Sequence, residues 1–245
     1  MAGLDPAAGR LYRSLYLDRC PASLQAPEIA EVANVCQVRP EPAEPAGREP
    51  VPAWLEGLPD RPTVYVTFGT VFNRDPALTD AVVRGLAGKP LNVIVTLGPG
   101  ADVEAAGQAP DNVRLCAYVP QSLLLERCDA VVCHGGIGSV LGALAAGLPV
   151  LVLPRGADHF YNAERLLLPG AGRRLLDGEI TGQPVAAEVA RLITDEGLRR
   201  AAARIAAEIA FMPGPAMEIA SLEELAGKRQ SHRRLSVPLF HSEGG

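Results

Sequence analysis

The sequence predicts an α/β protein, built as a doubly wound parallel sheet with helices on both faces. Three observations point there. From Thr63 onward, short apolar and β-branched runs alternate with Ala- and Leu-rich segments of helical length. The glycines of Cys133-His134-Gly135-Gly136-Ile137-Gly138-Ser139 sit at a strand-to-helix turn. A chain of 245 residues, 48% apolar and 21% charged, can also bury one full core.

The elements follow in order. Residues 1–36 form a modest segment with room for one short helix. Seven prolines come next, Pro40, Pro42, Pro45, Pro50, Pro52, Pro59 and Pro62, and no regular helix or strand is expected among them. Strands are predicted at 64–68, 92–97, 113–116, 130–133 and 150–153. Helices are predicted at 77–86, 121–126, 139–146 and 163–168. Only helical segments are expected beyond Pro184, to about Ala226, with the sheet complete by then. Residues 227–245 carry Lys228, Arg229, Arg233 and Arg234 without an apolar period, and read as a flexible basic tail.

Composition narrows the function classes. A formal net charge of −5 gives no footprint for nucleic acid, and no apolar run reaches the length of a membrane span. Met1-Ala2-Gly3-Leu4-Asp5-Pro6 lacks the basic start and apolar stretch of a signal peptide, so a cytoplasmic location is expected. Five cysteines without zinc spacing fit reduced thiols, and no ligand cluster calls for a metal.

Several chemistries fail on their motifs. The first strand is followed by Gly69-Thr70-Val71-Phe72-Asn73 and not by G-x-G-x-x-G, which argues against NAD and against an NAD-dependent epimerase. Gly88-Lys89-Pro90 lacks the rest of a P-loop. A hydrolase elbow at Ser139 needs glycines where Ile137 and Leu141 stand. The His134 turn keeps its interest. Its glycines allow close approach of a ligand, and the free N–H groups of the next helix favour an anion, so a phosphate or diphosphate fits. A structural histidine at a strand end is the alternative.

Four features lie at the carboxyl ends of predicted strands: Thr67-Phe68-Gly69-Thr70-Val71-Phe72-Asn73, Tyr118-Val119-Pro120-Gln121-Ser122, the His134 turn, and Leu153-Pro154-Arg155-Gly156-Ala157-Asp158-His159-Phe160-Tyr161-Asn162-Ala163. In this order they resemble the C-terminal, donor-binding half of bacterial family 1 GT-B glycosyltransferases, the type that glycosylates macrolides and other natural products. The early segment Leu15-Tyr16-Leu17-Asp18-Arg19-Cys20-Pro21-Ala22-Ser23-Leu24-Gln25 is also similar. The resemblance covers roughly residues 11–226. It implies three regions: 1–62, a remnant of a preceding domain plus a Pro-rich linker; 63–226, a nucleotide-sugar donor domain; and the tail from 227.

The resemblance also implies roles. His134 would contact the donor diphosphate and stabilise it as leaving group, with Gly135, Gly136, Gly138 and Ser139 forming the turn that holds its oxygens. A charge-assisted hydrogen bond contributes about 1.5–3 kcal/mol, so several must act together. Gly69 and Thr70 would face the phosphates, although Thr70 also suits a simple strand cap. The backbone around Val119 would read the base, with Gln121 beside it or merely starting the next helix. Asp158 would accept hydrogen bonds from sugar hydroxyls, or cap its helix. His159 stands where most relatives have glutamine, and could titrate near neutral pH. Gly142 stands where many UDP-sugar enzymes have a ribose-binding glutamate, which tilts the donor toward a dTDP-sugar.

The implied activity is transfer of a sugar from a dTDP- or UDP-sugar co-substrate to a small-molecule hydroxyl, with inversion and with neither cofactor nor metal. Only about sixty residues precede the first strand, too few for a second α/β domain. The histidine base and the acceptor site of such enzymes are therefore expected on an absent N-terminal domain, and no catalytic base is assigned in this chain. The alternative is a non-catalytic nucleotide-sugar-binding or interaction module that needs a separate acceptor domain.

Overall fold

Strands whose side chains are buried on both faces need helices on both sides, and the architecture follows from that demand. The computed structural model describes residues 15–41, 51–69, 75–105 and 107–234, with side chains described as far as residue 227. The strands are β1 (Tyr16–Asp18), β2 (Val35–Gln37), β3 (Thr63–Thr67), β4 (Asn92–Thr96), β5 (Val113–Cys116), β6 (Ala130–Cys133), β7 (Val150–Val152) and β8 (Gly172–Arg174). The helices are α1 (Ala53–Glu56), α2 (Pro76–Leu86), α3 (Gln121–Leu125), α4 (Ile137–Ala145), α5 (His159–Leu167), α6 (Gly182–Thr194), α7 (Glu196–Phe211) and α8 (Ile219–Arg234).

The chain divides into two compact units. The larger, residues 20–26 and 40–211, holds a six-stranded sheet in the order β5-β4-β3-β6-β7-β8. Every pairing in it is parallel, with Val64 opposite both Val93 and Ala130, and Thr67 opposite Cys133. Chain direction reverses its march across the sheet between β3 and β6, the point where open α/β sheets hold their ligands. On one face Val64, Val66, Val93, Val95, Val132 and Leu151 pack with Leu78, Val82 and Leu86 of α2 and Val185, Val189 and Leu192 of α6. Side chains alternate along a strand, so Tyr65, Ile94, Val131 and Val150 point to the other face, where α4 packs against β6 and β7.

The predicted fold class holds, and five of the six strands lie within one residue of their predicted bounds. The sixth, β8, was not expected. It reads Gly-Arg-Arg, without the apolar signal of a buried strand, because it is an edge. Arg173 donates to both Glu188 oxygens at 2.6 and 3.2 Å, tying that edge to α6. At the opposite edge Arg114 of β5 lies 5.0 Å from the Trp54 ring. That contact explains α1, a helix inside the Pro-rich stretch where none was expected: Pro52 precedes its first residue and Leu55 is buried. The described residues 20–26, 40–41 and 51–62, assigned ahead of the donor domain by sequence, cluster with the sheet. Leu24 is buried, and its carbonyl accepts from Arg165 at 2.8 Å.

The smaller unit comprises, among the described residues, 15–19, 27–39 and 212–234. Besides short 3-10 turns at Ala22–Leu24 and Pro27–Glu31, the first segment holds β1 and β2, which pair in parallel, Tyr16 opposite Val35. Three-residue strands carry too little alternation to be read from sequence. Helix α8 continues to Arg234, into the segment expected to be a tail, and strong helix formers such as Leu225, Ala226, Lys228 and Gln230 account for it. No helix among the described residues is long and apolar enough to cross a membrane, and none of the five cysteines is in a disulfide.

Candidate functional site

All six strands of the sheet are parallel, so the loops after β3, β5, β6 and β7 emerge along one edge. The loops after β3 and β6 are immediate neighbours there. His134 follows β6 and is 8% exposed. Gly69 follows β3 with φ +71°, and a Cβ on it would lie 2.7 Å from His134 Cε1. A Cβ on Gly136 would lie 2.5 Å from His134 Nε2. The imidazole therefore fits between two glycines, and a side chain at either would drive it out.

His159 closes a third side. Its ring meets that of His134 edge-on, with centroids 4.6 Å apart and planes at 89°. Burial pushes the His134 pKa down to about 4; the neighbouring His159 adds to the shift, while a backbone hydrogen bond with Thr67 and the charge of Asp158 oppose it. His134 is thus a neutral, fixed hydrogen-bonding group at pH 7. His159 is itself enclosed. It is 3% exposed, with its Nδ1 accepting from the Arg155 backbone N–H at 3.4 Å, and burial holds its pKa below the usual histidine range. Its ring packs against that of His134.

Gly135 has φ +96°, and a Cβ there would come within 2.7 Å of Val152 Cγ1. Gly136 is the N-cap of α4, without a side-chain cap. The N–H groups of Ser139 and Val140 both donate to Gly136 O, at 3.0 and 3.1 Å. Those of Ile137 and Gly138 precede any carbonyl the helix can offer, which leaves them to an outside acceptor. Ser139 can then add its hydroxyl and not its N–H. A Cβ on Gly138 would meet nothing within 4 Å, so this glycine faces open space.

On the β5 side, Val119 is buried and Gln121 begins α3. The Gln121 side chain folds against α4, where a Cβ on Gly142 would lie 2.8 Å from its Nε2. A glycine inside a helix costs about 1 kcal/mol relative to alanine, and this contact is the reason for one here. Thr70 lies outside the described residues. Asp158 is exposed at the N-cap of α5, yet it makes no capping bond. Its Oδ2 accepts instead from Asn162 Nδ2 at 2.8 Å.

Three participants were not singled out by sequence. Buried Asn162 also donates from Nδ2 to Gly135 O at 2.8 Å, joining the His134 turn to the start of α5. Arg155, after β7, pairs with Asp75 at 2.6 Å and with Asp177 at 2.5 Å. Asp75 in turn caps α2, accepting from the Leu78 N–H at 3.0 Å. Ala157, just before Asp158, has φ +50°, a backbone region that non-glycine residues seldom occupy. Among the described residues no group of three or more His, Cys, Asp or Glu is placed to hold a metal ion.

Residues 82–225 match the profile of the erythromycin biosynthesis protein CIII-like C-terminal domain, more than half of the chain. The chain belongs to this family. The matched residues of this CIII-like domain run from within α2 into α8 and include the His134 turn, Asp158 and Asn162. Tylactone mycaminosyltransferase of Streptomyces fradiae is 34% identical over 196 residues, which cover 78% of the chain and 43% of that protein. The glycosyltransferase SnogD of Streptomyces nogalater superposes with a TM-score of 0.73 at 32% identity, over 87% of the chain and 58% of SnogD. Spinosyn rhamnosyltransferase SpnG, in complex with thymidine diphosphate, superposes with a TM-score of 0.74 at 30% identity, over 85% of the chain and 56% of SpnG. The CIII-like chain thus spans about half the length of the relatives it matches.

Proposed function

We propose that the chain is the nucleotide-sugar-binding half of a glycosyltransferase. In this reading a dTDP-sugar, or a UDP-sugar, docks at the strand-end crevice, and its sugar passes to a hydroxyl of a small-molecule acceptor with inversion at the anomeric carbon. The observation that carries it is His134, pinned between Gly69 and Gly136 at the sheet's reversal point and beside the uncapped start of α4. Membership of the family supports the reading, as does thymidine diphosphate in a structural neighbour.

The chemistry assigned to this half is departure of the diphosphate. The N–H groups of Ile137 and Gly138, the Ser139 hydroxyl and neutral His134 would hydrogen-bond the developing charge from fixed positions, with no reorganisation at the moment of bond breaking. Asp158 would orient the sugar, and Val119 with Gln121 the base. Activation of the acceptor hydroxyl is assigned to residues beyond those of this site, and neither cofactor nor metal enters the scheme.

Calorimetric titration of the purified chain with dTDP, UDP and their sugars tests the proposal. Micromolar to submillimolar binding of dTDP is expected, weakened by at least about tenfold in His134→Ala, equivalent to 1.4 kcal/mol. A folded chain that binds none of these ligands at millimolar concentration would overturn it.

A further inference from the structure

The buried amide of Asn162 touches both halves of the proposed donor site. Its Nδ2 carries two N–H groups, and two acceptors lie 2.8 Å away: Gly135 O, on the turn that carries His134, and Asp158 Oδ2, at the mouth of α5. One planar group thereby fixes a carbonyl of the first loop relative to a carboxylate of the second. The backbone reinforces the arrangement, since the Asn162 N–H donates to Asp158 O at 2.9 Å.

The residue type is closely specified. A carboxylate at 162 would set oxygen against oxygen on both sides, and alanine would leave the Gly135 carbonyl without this donor in a packed interior. Asp158 would be freed as well. Without Asn162, nothing in its cap geometry holds the carboxylate, because no N–H of α5 engages it. The turn is equally dependent on close fit, with Gly135 pressed against Val152 and the His159 backbone.

We infer that Asn162 is a positioning residue that couples the diphosphate-facing turn to the sugar-facing carboxylate of Asp158, so that one buried amide sets both subsites in register. The inference rests on the donor-site reading above. It makes sugar recognition depend on a residue that touches no ligand.

The test is calorimetric titration of the 245-residue chain with dTDP and with dTDP-glucose. Asn162→Ala should weaken dTDP-glucose by about tenfold and dTDP by no more than about threefold, because Asp158 serves only the sugar. Introduced into an Asp158→Ala background, the same change should alter dTDP-glucose affinity by no more than the about threefold expected for dTDP. Asn162→Asp keeps the volume but loses the donor as a carboxylate; it is read in the same way where the alanine variant fails to fold. Equal losses for both ligands, or losses that add fully to those of Asp158→Ala, would show a merely structural residue and overturn the inference. Wild-type affinity in the Asn162 variants would overturn it alone. A wild-type chain that binds neither ligand would overturn the donor-site reading and the inference together.

Discussion

Acid should destabilise this protein through His134, and by an amount that can be worked out. In the unfolded chain this histidine titrates near 6.5, while burial holds it at about 4 in the folded state. Between those values the unfolded chain binds more protons, so stability falls as pH falls. This is the opposite sign from a histidine that gains an acidic partner on folding. The contribution is absent above pH 6.5, reaches about 2 kcal/mol at pH 5, and approaches 3 kcal/mol at pH 4. Urea denaturation of the wild type and of His134→Gln at pH 7.5 and pH 5 isolates it. The wild type should lose about 2 kcal/mol more than the variant over that interval, whatever the rest of the chain does. His159 does not confuse the comparison, since its own downward shift comes first from burial and persists in both proteins. Equal losses in the two proteins would refute a desolvated His134, and with it the pinned-imidazole geometry.

The remaining predictions concern ligand and packing. Binding of dTDP-glucose, whose esterified diphosphate has no group titrating near that pH, should take up a fraction of a proton at pH 5.5, because an arriving diphosphate raises the His134 pKa from about 4 toward that value; calorimetry in two buffers of different ionisation enthalpy reads the number, and zero uptake separates His134 from the anion. Gly142→Ala should fail to deliver the increase of about 1 kcal/mol that helix propensity predicts, since its Cβ collides with Gln121. In a Gln121→Ala background the same substitution should raise Tm, and an identical effect in both backgrounds would show that Gln121 does not occupy that space.

The central strands were legible because each is a short, β-branched run buried on both faces, the pattern that only a covered parallel sheet produces. The chemistry of an edge hid β8, where Arg173 replaces apolar packing with an ion pair to Glu188. The His134 turn was legible too, as a glycine cluster between strand and helix. Its supporting contacts were not. Gly135 and Asn162 are 27 positions apart, and neither periodicity nor a local motif relates them. His159 illustrates the same limit in reverse. The family resemblance speaks to what His159 would meet in a ligand, whereas the edge-on contact of its ring with that of His134 is set by packing and could not be read from sequence.

The turn's glycines change meaning once the geometry is known. From sequence they read either as room for a ligand or as the makings of a tight turn. Gly69 and Gly136 instead make room for the protein's own imidazole, which a Cβ on either would strike. Gly138 is the one facing open space, next to the N–H groups that α4 cannot satisfy itself. The division has an energetic logic. A charged imidazolium so deeply buried would carry a large desolvation cost, whereas a neutral ring held by steric fit carries little. In the proposed reading, attraction for an anion would then come from directed N–H groups and the helix dipole, with His134 neutral at pH 7. On that reading, a site built this way would favour the departing diphosphate more strongly as its negative charge develops, which is the differential stabilisation a leaving-group site requires.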